Sequence, residues 1–274
     1  MNIFITGTTG FIGKSLAEYF EQEHLVTRYN RKDDIIVSLN RAQPDIIIHC
    51  AAEIYDVNVM VSSNIVLVHS ILEWVRSNPA TKLIQLGSSA EYGPVDCPTK
   101  ESDPIRPIDM YQATKGAATL LCQGYARQFG LQTLVARIYS GYGPHERPHR
   151  LFPKLYQAFF HNEPMTLYDG VHDFIYIDDF VRGIDLVLKK SWYAGEIVNF
   201  GSGDQCSNID VLTTWKQVTG IIDAPVKYEE KFNKSFESKV WCCDTTYAFE
   251  QYNFKTEFTL AQGIADFIRK KNVK

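Results

Sequence analysis

No CxxC pair occurs in the 274 residues. The six cysteines are Cys50, Cys97, Cys122, Cys206, Cys242 and Cys243, and only the last two are neighbours, a poor arrangement for a shared metal. This spacing excludes a zinc ribbon or a disulfide framework and points to a reduced chain. Basic residues are not in excess: 28 Lys and Arg stand against 32 Asp and Glu, a net charge of -4. A nucleic-acid surface is therefore not expected. His145, His149, His161 and His172 lie near one another in sequence without zinc-site spacing, so no metal is expected. The N-terminus has neither the charged nor the apolar segment of a signal peptide. No apolar run approaches the roughly 18–20 residues of a membrane span. These absences leave a cytoplasmic globular chain with no membrane partner.

What is present alternates. Apolar strand-like runs at 3–6, 25–29, 45–49, 82–86 and 133–137 are separated by helical spacing at 11–20, 64–75 and 110–129. Continuous apolar strands between amphipathic helices predict a parallel sheet covered on both faces, in a Rossmann-type doubly wound α/β fold. Between the second and third strands there is room for only a short helix at 35–41, which predicts a shortened sheet edge. After 137 the segments become short and rich in Tyr, Pro and His. Helices at 151–160, 178–189 and 260–269 and a strand at 196–199 are expected there. The division expected is a dinucleotide-binding domain at 1–145, with later segments returning to it, and mainly a small substrate-binding lobe at 146–274.

The loop Thr6-Gly7-Thr8-Thr9-Gly10-Phe11-Ile12-Gly13 follows a strand and opens a helix. Gly7 allows the tight turn, Gly10 lets backbone N–H groups approach a pyrophosphate, and Gly13 lets helix and sheet pack closely. Thr9, Phe11 and Ile12 complete this cofactor-binding stretch at the positive end of the helix dipole. The end of the second strand discriminates NAD from NADP. It reads VTRYNRKD, with Arg31 as the candidate 2′-phosphate ligand and Arg28 and Lys32 beside it, which favours NADP(H).

Tyr111 and Lys115 stand at i and i+4 on one helix face. A phenol near pKa 10 is a poor acid–base at neutral pH, and a neighbouring ammonium favours its ionised form. Lys115 also has the reach to hold a nicotinamide ribose. Ser88 follows the fourth strand, where open α/β sheets bind ligands, and its hydroxyl can donate to a substrate carbonyl. Tyr111, Lys115 and Ser88 are the candidate catalytic residues.

With these motifs in place the chain resembles the extended short-chain dehydrogenase/reductase family, in its NAD-dependent epimerase/dehydratase group. The resemblance rests on TGTTGFIG (6–13), HCAA (49–52), GSSAEYG (87–93), YQATK (111–115), ARIYSGYGP (136–144), HDFIYIDDF (172–180) and VNFGSG (198–203). It implies Tyr111 as acid–base with Ser88 and Lys115, and Ala51, Ala52 and Tyr139 against the cofactor. It places Ser88, Ser89, Ala90 and Ser140 by the sugar, Asp178 in a turn that positions the C-terminal lobe, and a homodimer in solution.

Departures from the family pattern narrow the chemistry. Relatives that dehydrate a hexose carry an Asp–Glu pair where Ser89 and Ala90 stand, and relatives resembling GDP-fucose synthase carry a cysteine at the Ala90 position. Hydride transfer at one carbon remains. The reading is NADPH-dependent reduction of a 4-keto (6-deoxy) nucleotide sugar, with an NAD-dependent C4 epimerase as the alternative. A non-catalytic relative would typically lack the Tyr or the Lys. Arginines common in the family are replaced by His172 and by Val240-Trp241, which leaves Arg147, Arg150 and Lys154 as candidate ligands of the substrate diphosphate.

Overall fold

The computed structural model describes residues 1–230 and 239–272. Its first half runs β1 (Asn2–Thr6), α1 (Phe11–Phe20), β2 (Leu25–Arg28), α2 (Ile35–Ala42), β3 (Ile46–His49), α3 (Val57–Val61), α4 (Leu67–Ser77), β4 (Lys82–Ser88), α5 (Met110–Phe129) and β5 (Thr133–Ile138). The second half runs β6 (Ser140–Tyr142), α6 (Leu151–His161), β7 (Met165–Tyr168), β8 (Val171–Tyr176), α7 (Ile177–Leu188) and β9 (Glu196–Phe200). It closes with β10 (Gln205–Ser207), α8 (Asn208–Thr219), β11 (Val226–Glu229), α9 (Thr246–Tyr252) and α10 (Leu260–Asn272).

Six strands form a wholly parallel sheet in the order β2-β1-β3-β4-β5-β9. All residues of β3, β5 and β9 are buried, as strands covered on both faces require. The short α2 replaces a further strand and helix, so β2 is the edge, as the spacing predicts. Apolar groups on the two faces form separate clusters. One joins Phe20, Ile138, Phe180 and Phe200 with the C-terminal helices, and the other joins Phe4, Ile71, Trp74 and Val135 under α2, α4 and α5.

The C-terminal lobe is built on the sheet β10-β8-β6 and the pair β11-β7. It is not a separate unit in sequence. β9 completes the main sheet and α7 packs on α1, so the chain crosses back after 170. The first of the two apolar clusters is continuous from Ile3 to Phe267.

One expectation is corrected here. The helical run Val57–Ser77, with a π-helical turn at Ser62–Val66, is 21 residues long with mean hydropathy 1.2, long and apolar enough to cross a membrane by length and composition. Its buried side chains Val68, Ile71, Leu72 and Val75 lie on one helical face and pack in the second cluster. The interruptions by Ser62, Ser63 and Asn64 break the run when the sequence is scanned for uninterrupted apolar residues.

Candidate active site

The carboxyl ends of β1, β3, β4 and β5 converge on one edge of the sheet. At the first of them Gly7 has φ +70°, and a Cβ there would lie 2.7 Å from Ala51 N. A Cβ at Gly13 would lie 2.4 Å from Gly7 O, so this turn of α1 closes against the loop only as glycine. Gly10, the residue before α1, offers no side-chain cap. The N–H groups at this helix start are thus left to a ligand, as a pyrophosphate requires. Thr9 is exposed and Phe11 and Ile12 are half-buried at the same mouth. Thr6 Oγ1 accepts from Cys50 N and Ala51 N, both at 3.1 Å, and so fixes Ala51 and Ala52 beside the loop. Thr6 also bonds His49 Nδ1 at 2.8 Å, and burial pushes His49 down to about 3. His49 is therefore a neutral structural group. These residues fit a dinucleotide.

At the end of β2, Arg28 is held by Glu21 at 2.6 Å. Arg31 lies past it, exposed in a turn built by Asn30 Oδ1 accepting from Lys32 N and by Tyr29 OH donating to Asp33 O. Of the three cations expected there, Arg28 is engaged, and Arg31 and Lys32 are exposed.

Ser88, Tyr111 and Lys115 come together. Ser88 ends β4 and caps a 3₁₀ turn, Ser89–Tyr92, accepting from Ala90 N at 3.2 Å. Tyr111 lies in the first turn of α5, whose cap Asp109 accepts from Gln112 N at 2.8 Å. The Ser88 hydroxyl lies near the Tyr111 phenol and favours its ionised form. Lys115 is 4% exposed and its Nζ donates to Leu86 O. Burial raises the Tyr111 phenol and lowers the Lys115 ammonium. Burial is the largest influence on the phenol, and Ser88 and Arg150 oppose it.

Two further expectations change. Tyr139 is 5% exposed and its hydroxyl bonds Thr99, so its side chain belongs to the interior and only its backbone remains for the cofactor. Asp178 does tie the lobe through Lys270 of α10 at 2.7 Å, but the neighbouring Asp179 is the buried anchor. It accepts from Glu257 N at 2.8 Å and Phe258 N at 3.1 Å.

On the substrate side Ser89 is buried and Ala90 half-buried within the 3₁₀ turn. Ser140 Oγ bonds His172 Nδ1 at 3.1 Å. His172 lines a cavity of about 320 Å³ in the lobe, walled also by His149, Lys154, Tyr168, Asn208 and Trp241. Trp241 Nε1 and Asn208 Oδ1 are buried without a hydrogen-bond partner among the described residues, a donor and an acceptor in its wall. Of the arginines, Arg150 pairs with Glu146 at 3.3 Å and acts on Tyr111, whereas Arg147 lies over the Tyr55 ring at 5.3 Å. Neither lines the cavity; Lys154 does. His145 pairs with Glu18, and His149 bonds Tyr55 while sharing the cavity wall with His172.

Some residues escaped the sequence reading. Asn64 is 2% exposed and clamps the loop after β3 to α5, accepting from Glu53 N at 2.7 Å and donating to Glu53 O and Thr114 Oγ1. Glu91 and Arg137 form a buried pair at 2.9 Å beneath Ser88. A polar residue inside an apolar run marks Asn64 and Arg137 in the sequence; only their partners give that mark a meaning.

A model of the NAD dependent epimerase/dehydratase family matches residues 3–201. The chain is 26% identical over 268 residues to the low-salt glycan biosynthesis protein Agl12 of Haloferax volcanii, covering 84% of this chain and 86% of that one. Among solved structures, dTDP-glucose 4,6-dehydratase of Bacillus anthracis in complex with NAD superposes with a TM-score of 0.90 at 21% identity, covering 100% of this chain and 97% of that one. UDP-glucuronic acid 4-epimerase of Bacillus cereus, with UDP-glucuronic acid and NAD, gives 0.87 at 22% identity, covering 98% and 99%. Both likenesses establish the Rossmann-type fold.

Proposed function

The chain belongs to the NAD dependent epimerase/dehydratase family, and from that premise we propose that it transfers hydride at a single carbon of a nucleotide sugar. The favoured reaction is NADPH-dependent reduction of a 4-keto (6-deoxy) sugar. The observation that carries this reading is the chemistry of the turn after β4. Ser89 and Ala90 cannot move a proton, and the one acid there, Glu91, is 0% exposed and turned onto Arg137. Tyr111 is left as the proton-moving group at that turn, which suits one-carbon redox chemistry and not dehydration.

A bound nicotinamide dinucleotide would lie on the loop 7–13, with Ala51 and Ala52 along it and Arg31 at its 2′-phosphate, and would supply the hydride. Ser88 would donate to the carbonyl oxygen and orient it toward the phenol. Tyr111, kept protonated by burial, would give its proton to the new alkoxide. Lys115 would hold the ribose, and its ammonium would favour the phenolate left behind. The nucleotide would enter the cavity of the lobe, where Asn208 and Trp241 offer an acceptor and a donor and Lys154 a charge for the diphosphate. Leu120 of α5, exposed with Val66 at the turn before α4, would serve a homodimer.

The C4 epimerase with NAD is the second reading, favoured by the likeness to a 4-epimerase bound to NAD. A panel of 4-keto nucleotide sugars with NADPH and with NADH decides between them. Net oxidation of NADPH, abolished by at least 10³-fold in Tyr111→Phe, supports the reductase. NAD retained through purification, with no net use of added NADPH, supports the epimerase. Turnover that persists in Tyr111→Phe sinks both.

A further inference from the structure

Glu91 lies where three elements meet. Its Oε1 accepts from Ser88 N at 2.8 Å, closing a capping box on the 3₁₀ turn. Its Oε2 accepts from Thr119 Oγ1 of α5 at 2.7 Å and from Arg137 Nε of β5 at 2.9 Å. Glu91 is 0% and Arg137 2% exposed. The site is fitted to this carboxylate: a Cβ at Gly87 would lie 2.9 Å from Glu91 Oε1 and 2.8 Å from Arg137 Cγ. The Arg137 guanidinium lies 4.5 Å from the Tyr92 ring centroid. Thr119 is one turn beyond Lys115 and two beyond Tyr111 on α5, so it fastens the face that carries both.

A buried ion pair seldom earns its place by stability, because desolvation offsets the attraction. Another use is at hand. We infer that Glu91 is a positioning residue for the proposed reaction: its carboxylate clamps the Ser88 turn to the helix bearing Tyr111 and Lys115, and supplies the negative charge against which the Lys115 ammonium is kept. This rests on the assignment of Ser88, Tyr111 and Lys115 as the reacting groups. Glu91 heads the charges that hold Lys115 up against burial, and it also raises Tyr111. The other groups facing the pair are Asp109 at the start of α5, Arg150 ahead of α6, His49 and Cys50 at the end of β3, and Cys122 within α5.

Two substitutions separate charge from reach. Glu91→Gln keeps the length and removes the charge; Glu91→Asp keeps the charge and falls short of Ser88 N. The probe is the full chain saturated with NAD or NADP and labelled with ¹³Cζ-tyrosine, the Tyr111 signal being assigned by its loss in Tyr111→Phe. In Glu91→Gln the Tyr111 titration moves to lower pH, because a negative charge that raises the phenol is gone. In Glu91→Asp the titration stays, and amide exchange across 88–92 rises at least about tenfold as the cap is lost. An unchanged titration in Glu91→Gln overturns the proposal, as does unchanged exchange in Glu91→Asp. If Glu91→Gln does not fold, Glu91→Gln combined with Arg137→Met removes the stranded cation, and the same titration decides. None of these readings needs turnover, so they fail separately from the proposed reaction, which Tyr111→Phe tests.

Discussion

The proposal of NADP as cofactor turns on Arg31. It stands exposed past β2 while Arg28 is taken by Glu21. A charge-assisted bond to a 2′-phosphate contributes about 1.5–3 kcal/mol. Arg31→Ala should therefore weaken NADPH binding roughly 10- to 100-fold and leave NADH binding unchanged, as read by cofactor fluorescence titration. Equal affinity of the wild type for both cofactors would remove the argument for NADP and bring the epimerase forward. The basic turn past β2 was legible in the sequence because it needs only a strand end and charges. Glu91 was not, since its meaning depends on Ser88, Thr119 and Arg137, which come from three separate segments.

Among the elements, the segment between the 3₁₀ turn and α5 carries a charge that the fold disfavours. Burial, with Asp244 adding to it, pushes the Glu101 carboxyl up to about 7, although Asn199 N donates to it at 2.9 Å. The folded chain thus holds the proton more tightly than the unfolded chain. Stability from this group is fully present below its ordinary range near 4.5 and is lost as pH rises to about 7. Glu101→Gln keeps an acceptor for Asn199 and cannot ionise. Its stability, followed by thermal melting, should gain on the wild type between pH 4.5 and 7 and hold that lead above it, by about 1–2 kcal/mol after allowing for partial exposure. A constant difference across that range would show that Glu101 ionises freely. Elements with strong periodicity, such as α1 and α5, were readable to the residue. The three-residue strands β6 and β10 were not, because so short a run has no period and exists only by pairing with β8.

At the level of the whole molecule, α4 and α5 pack on each other, and Leu120 of α5 and Val66 at the turn before α4 are left 57% and 53% exposed. Such side chains on adjacent helices suit self-association. Sedimentation at micromolar concentration should give a dimer, and Leu120→Glu should shift it toward monomer; a wild-type monomer at that concentration would refute the expectation. The sequence by itself determined the parallel α/β sheet, its shortened edge, the glycine loop and the pairing of Tyr111 with Lys115. These follow from local periodicity, backbone sterics and spacing on one helix. Only the tertiary structure decided that Tyr139 faces inward, that Trp241 and Asn208 wall a cavity, that β9 pairs with β5, and that Glu91 stands under Ser88. Each is a contact between residues far apart in the chain, and such contacts are fixed by packing, which no local pattern encodes.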